Sequence, residues 1–391
     1  MAFSITEDMI RVFRERGLEG LQEECLVKLK EWKSLSMNIA VIGQSGAGKS
    51  ALINALRHKT NKDDGYAPVG SNETTINIRR YTHPDNDKLV LTDVPGVGTT
   101  SFPQATYMEK IKVDTYDFFL LLASKHLLEQ DVWLAQELTK RRKGFFLVRT
   151  HTAVSVTNVL REIRCSETEA LESIRAGTLG RGNQFLTEHK LFLLDSYETQ
   201  KYEFNDFSMS LIGDFPEIKK EALLLTIRTE GDLKMIEMKV QHLKKRTWIA
   251  ATISGAAAAV PVPGVGIVVD AGILVEETCF YFKQLGFDRD SVSRFAQRTG
   301  VEENTLKKSI KRELGITAAA QVTKDTIFEV TKYLGINVAA YMAETATEEV
   351  VKYFPVVGPV FAASASYLMT RWFLGQILDK MHIAANRVFG V

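Results

Sequence analysis

One run of eight residues, Gly43-Gln44-Ser45-Gly46-Ala47-Gly48-Lys49-Ser50, constrains this chain more than any other. It fits G-x-x-x-x-G-K-[ST], a glycine-rich turn carrying a strand into a helix. The surroundings agree, because residues 37–42 (MNIAVI) are a short apolar run and Ala51 continues into an apolar-periodic stretch. Glycines at 43, 46 and 48 let successive backbone N–H groups curl toward an anion at a helix N-terminus. Lys49 can reach β- and γ-phosphate oxygens, and the Ser50 hydroxyl can enter a Mg²⁺ shell. Residues 43–51 are therefore the expected phosphate cradle.

Further buried-strand candidates lie at 88–92, 118–123, 144–149 and 190–194, separated by stretches long enough for helices. That alternation predicts an α/β fold with a mainly parallel sheet covered on both faces. The alternating run 74–79 suits a half-exposed strand. Beyond about residue 215 the strand signal fades, and 232–250, 286–296, 302–313 and 321–350 read as helices, with Gly231, Gly286, Gly300, Gly315 and Gly335 at their ends. Residues 4–35 read as a leading helix capped by Ser4 or Thr6. The expected plan is an N-terminal helical segment at 1–36, a phosphate-binding α/β domain at 37–215 and a helical domain at 216–391.

A second motif supports the phosphate site. Leu89-Val90-Leu91-Thr92-Asp93-Val94-Pro95-Gly96 places a carboxylate at the tip of an apolar strand. Such an aspartate can hold Mg²⁺ through water, and the N–H of Gly96 can meet a γ-phosphate. Between the two motifs, Glu73-Thr74-Thr75 offers a threonine that could close over the metal and order its loop in the triphosphate state. Composition narrows the partners. With 49 Lys and Arg against 48 Asp and Glu, the net charge is +1, which excludes association with nucleic acid by bulk charge. Three scattered cysteines argue against a disulfide framework and suit a reducing cytoplasm. The N-terminus has no secretory pattern or myristoylation signal, and the C-terminus no prenylation box, so a cytoplasmic location is expected.

These motifs, with YTHP at 81–84, DVPGVGTTSFP at 93–103, YDFFLLLAS at 116–124, FFLVRT at 145–150, LFLL at 191–194, YEF at 202–204 and AVPVPG at 259–264, resemble the immunity-related (interferon-inducible) GTPases, relatives in outline of the dynamin-like large GTPases. The resemblance implies a Ras-like P-loop G domain and a helical domain built from both chain ends. It implies GTP or GDP with Mg²⁺ as ligands, with Ser50, Thr75 and Asp93 at the metal and Gly96 at the phosphate. Glu73, Lys49 and Thr75 are implied to be catalytic. It further implies a homodimer or oligomer formed through the nucleotide face, acting in cell-autonomous defence with peripheral contact to intracellular membranes. Val97 stands where small Ras-like GTPases carry a water-orienting glutamine. An apolar side chain cannot orient water, so slow, assembly-stimulated hydrolysis is expected.

The base-reading end departs from the family. Where T-K-x-D is usual, the chain has Thr150-His151-Thr152-Ala153, and Asp195-Ser196-Tyr197 follows LFLL. The guanine-reading carboxylate has become a methyl group. Three readings stand: Asp195 supplies the acceptor, base specificity is relaxed, or nucleotide binds poorly. GTP is the expected ligand, with Thr150, His151, Asp195 and Ser196 lining the base. A hydrolysis-impaired scaffold and an ATP-using relative are the alternatives. Residues 247–269 and 353–370 are apolar but broken by Pro and Gly, which favours buried hairpins over spanning helices. The basic run 244–246 is expected on a solvated helix face, where it could attract anionic lipid.

Overall fold

The structure is a computed structural model that describes residues 7–70, 77–99, 101–180, 184–229, 231–258, 265–315 and 365–390. A leading helix α1 (Glu7–Lys30), bent where Gly17 takes φ 66°, precedes strand β1 (Met37–Gly43) and helix α2 (Lys49–Arg57). Strands β2 (Arg79–His83) and β3 (Asn86–Val94) form a hairpin, followed by a short α3 (Tyr107–Lys110), β4 (Phe118–Ala123) and α4 (Glu129–Lys140). Then come β5 (Gly144–Arg149), α5 (Thr152–Glu162), α6 (Glu167–Leu179), α7 (Gln184–Thr187) and β6 (Leu191–Leu193). Only helices follow: α8 (Phe204–Asp214), α9 (Glu217–Thr226), α10 (Leu233–Ala258), α11 (Val265–Gln284), α12 (Arg289–Thr299), α13 (Glu303–Leu314) and α14 (Ala365–Phe389).

The strands make one sheet of order β2-β3-β1-β4-β5-β6, parallel except where β2 runs against β3. Continuous apolar runs such as Phe118–Ala123 are buried along their whole length, as strands covered on both faces must be. Parallel pairing aligns the C-terminal ends of β1, β3, β4 and β5, and loops at those ends are where ligands of such sheets bind. Mainly parallel pairing and the order around β1 give the Ras-like G-domain fold.

The chain divides into two compact units, Lys33–Ile227 and the pair of segments Met1–Trp32 with Arg228–Val391. The second division falls later than the 215 expected from sequence. Helix α9 belongs with the sheet: Lys219 Nζ lies 2.8 Å from Asp117 Oδ1, and Asn86 Nδ2 donates to Thr226 Oγ1 over 3.0 Å. Its buried Leu223 and Leu225 add an apolar face to those polar ties.

In the helical unit, α1 packs on α10, and α10 packs on α11 and α14. The basic run at 244–246 lies only in part on the solvated face expected for it. Arg246 is buried, with Nε and Nη2 each 2.8 Å from the Glu277 carboxylate and Nη1 donating to Leu29 O at 2.7 Å. Its guanidinium also lies 4.4 Å from the Phe280 ring centroid. A guanidinium taken from water needs this degree of pairing, so it ties α1, α10 and α11 together. Lys244, which pairs with Asp379 at 2.8 Å, and Lys245 are both exposed. Among the described residues no helix is long and apolar enough to cross a membrane. The Pro-rich breaks at 259–264 and 353–364, and the expected helix 321–350 with Gly335, lie outside those residues.

Candidate nucleotide site

The sequence turns from β1 to α2 through two left-handed glycines, Gly46 (φ 75°) and Gly48 (φ 82°), the latter standing just before the first residue of α2. A side chain at Gly48 would be strained by that φ, although it would only touch Thr150 and His151, at 3.4 Å. Gly96 is needed for a different reason. A Cβ there would lie 3.0 Å from Gly43 O, so the β3 turn can approach the loop backbone only without a side chain.

The charged groups converge behind this loop. Lys49, only 6% exposed, donates from Nζ to Gly43 O at 3.0 Å and Gln44 O at 3.2 Å. Burial pushes its ammonium below the usual lysine pKa, and the Asp93 carboxylate pulls it partly back. Ser50 Oγ donates to Asp93 Oδ2 at 3.0 Å. Asp93 is 1% exposed at the end of β3. A hydroxyl and a buried carboxylate in contact are hard oxygen donors suited to Mg²⁺ that keeps waters and phosphate oxygens as its other ligands. Among the described residues there is no cluster of three His, Cys, Asp or Glu that could hold a metal. Glu73, Thr74 and Thr75 lie outside the described residues.

Two residues that sequence reading passed over brace the turn after β3. The Tyr107 hydroxyl, fully buried, donates to Pro95 O at 2.7 Å. Gln130 of α4 accepts from Gln44 Nε2 at 3.1 Å, and its amide lies where a Cβ on Gly98 would sit, 2.4 Å away. The second link joins segments 86 residues apart, and neither residue type at its position carries a motif. Val97 is 3% exposed in the apolar core, so its side chain faces packing rather than the phosphate site.

At the other end, Thr150 Oγ1 donates to Ala47 O at 2.9 Å, pinning the β5 end to the phosphate loop. His151 follows in a left-handed conformation (φ 53°), exposed, with Nδ1 3.1 Å from Thr150 Oγ1. Buried Arg149 holds this corner from behind, bonding Ser124 O, Thr150 O and the Ser155 hydroxyl. Asp195 does come to Ala153, but through the backbone: Oδ2 accepts Ala153 N–H at 3.2 Å and Oδ1 accepts Tyr197 N–H at 3.0 Å. Ser196 lies half-buried beside it.

A family model described as interferon-inducible GTPase matches residues 4–354. The chain belongs to the interferon-inducible GTPase family. Interferon-inducible GTPase 1 of Mus musculus is 30% identical over 286 residues, covering 72% of this chain and 69% of that protein. Interferon-inducible GTPase 5 of Rattus norvegicus is 29% identical over 355 residues, 90% of this chain and 74% of its own length. Among solved structures, the FeoB G domain of Methanococcus jannaschii covers 48% of this chain and 99% of its own at 18% identity, with a TM-score of 0.29. At that score the fold rests on the sheet order and the phosphate loop instead.

Proposed function

We propose that the protein binds Mg²⁺-GTP at the 43–50 loop and hydrolyses it slowly, with turnover stimulated by self-assembly through the nucleotide face. The observation that carries this reading is the convergence of Lys49, Ser50 and Asp93 behind a loop of left-handed glycines. Loop N–H groups take the β-phosphate, and Lys49 exchanges its bonds to the Gly43 and Gln44 carbonyls for phosphate oxygens. A buried ammonium whose charged form is penalised gains most from an anionic partner. When bound at Ser50 and Asp93, Mg²⁺ supplies neutralisation of the oxygens that gain charge as the terminal phosphoryl group leaves.

In hydrolysis a water oxygen bonds to the γ-phosphorus, the bond to the bridging oxygen breaks, and the water's proton ends on phosphate. Glu73 and Thr75, assigned by the family resemblance, are the groups proposed to orient that water and close the loop. Val97 cannot do so from the core. Orientation completed by a second copy accounts for slow turnover alone and faster turnover when assembled. Action in cell-autonomous defence, by peripheral attachment to intracellular membranes from the cytoplasm, completes the proposal.

The test is phosphate release from GTP measured against protein concentration, with liposome co-sedimentation in GTP and GDP. Specific activity that rises with concentration, with GTP-favoured sedimentation, is the expected result. The buried Val97 favours one other reading, a scaffold that binds GTP without turnover, and phosphate release absent at every concentration would select it.

A further inference from the structure

Among the described residues, the carboxylates at the base end of the site already have partners. A guanine-selective site commonly presents a carboxylate to N1–H and the exocyclic amine, two charge-assisted bonds that an analogue without the amine cannot repeat. At 153 that group is a methyl. Asp195 is the nearest replacement in the sequence, yet it is 6% exposed and each oxygen already accepts a backbone amide, one from Ala153 and one from Tyr197. It closes the 195–197 turn and caps the start of α5, the work of an acid in a helix's first turn. Glu198 is engaged by Lys201 at 2.6 Å. The Thr150 hydroxyl is spent on Ala47 O. What remains there is the His151 ring and the Ser196 hydroxyl, neither of them an anion. Arg149, buried behind this corner, is a cation with donors only.

We infer that this site takes purine nucleoside triphosphates with little regard to the substituent at the purine 2-position, Asp195 acting as a positioning residue for the 195–197 turn rather than as the base reader. The inference rests on the phosphate-site reading and names the substrate class of that same site. Affinity comes from the polyphosphate end, and the base adds stacking and van der Waals contact that guanine, hypoxanthine and xanthine supply alike.

The test is competitive binding of GTP, ITP and XTP to the full chain with Mg²⁺, repeated on Ala153→Asp and Asp195→Asn. The wild type should hold all three within about threefold, where a carboxylate reader would separate GTP from ITP by about tenfold to a hundredfold. Ala153→Asp places an acid in the first turn of α5, a favourable position for folding, and should create that preference for GTP. Asp195→Asn should leave the ratios unchanged. A wild-type preference for GTP of tenfold or more, collapsing in Asp195→Asn, would make Asp195 the reader and overturn the inference. A strong preference that survives Asp195→Asn would overturn it equally, by pointing to a reader elsewhere. Failure of all three nucleotides to bind would instead strike the phosphate-site reading on which it stands.

Discussion

The two ends of the nucleotide site are built to different standards. At the phosphate end, two left-handed glycines, a buried lysine and a hydroxyl–carboxylate pair converge on one turn, and Gly96 leaves the β3 backbone room to approach. At the base end the same framework is kept, since Thr150 still pins β5 to the loop, but the charged reader is missing and its nearest substitute is occupied by backbone amides. The frame that shapes a site and the group that sets its selectivity are thus separable. A chain can keep the first entire after losing the second, because the first depends on backbone geometry and packing.

Lys49→Ala sharpens the contrast most. It should lower GTP affinity by about a hundredfold or more, as loss of charge-assisted bonds to two phosphates implies, while leaving GMP affinity unchanged in fluorescence titration. Equal loss for both ligands would break the separation of the ends. Asp93→Asn comes next: removing the buried charge should abolish the Mg²⁺ dependence of GTP binding, an effect of about tenfold in a titration with and without chelator.

A pH series probes the same end. Burial depresses the Lys49 pKa below 10.5, and the triphosphate binds its protonated form. Affinity should therefore fall as pH rises through that depressed value, and Lys49→Arg should flatten the response. Tyr107→Phe removes the bond to Pro95 O and should lower stability by about 1 kcal/mol in urea unfolding. It should also reduce kcat with little change in KM, since it loosens the turn carrying Gly96. The smallest effect belongs to the base end. His151→Ala should change GTP affinity by no more than about twofold, because an exposed ring exchanges any bond to the base for one to water.

Sequence reading recovered the strands whose signal is local. The runs 118–123 and 144–149, apolar but for the closing Arg149, are strands over those same residues, and the glycine pattern at 43–50 marked the turn. Gly300 and Gly315 do terminate helices in left-handed conformations. The failures share a cause, dependence on partners that no local residue pattern announces. The allegiance of α9 is decided by Asp117 and Asn86, about a hundred residues away or more. Arg246 reads as one of three solvated cations until Glu277 and Leu29 O are brought to it. Asp195 reads as a free carboxylate, since its partners are main-chain amides that every sequence possesses. Tyr107 and Gln130 brace the turn after β3 through bonds to a carbonyl and to another side chain, which no spacing announces.

Calorimetric titration of the full chain with Mg²⁺-GTP, set beside the same titration with GMP, tests the phosphate end most directly. One GTP per chain, with affinity at least about a hundredfold above that of GMP, is the result this geometry predicts. No heat from either ligand, or equal affinity for the two, would contradict a site held together by Lys49, Ser50 and Asp93.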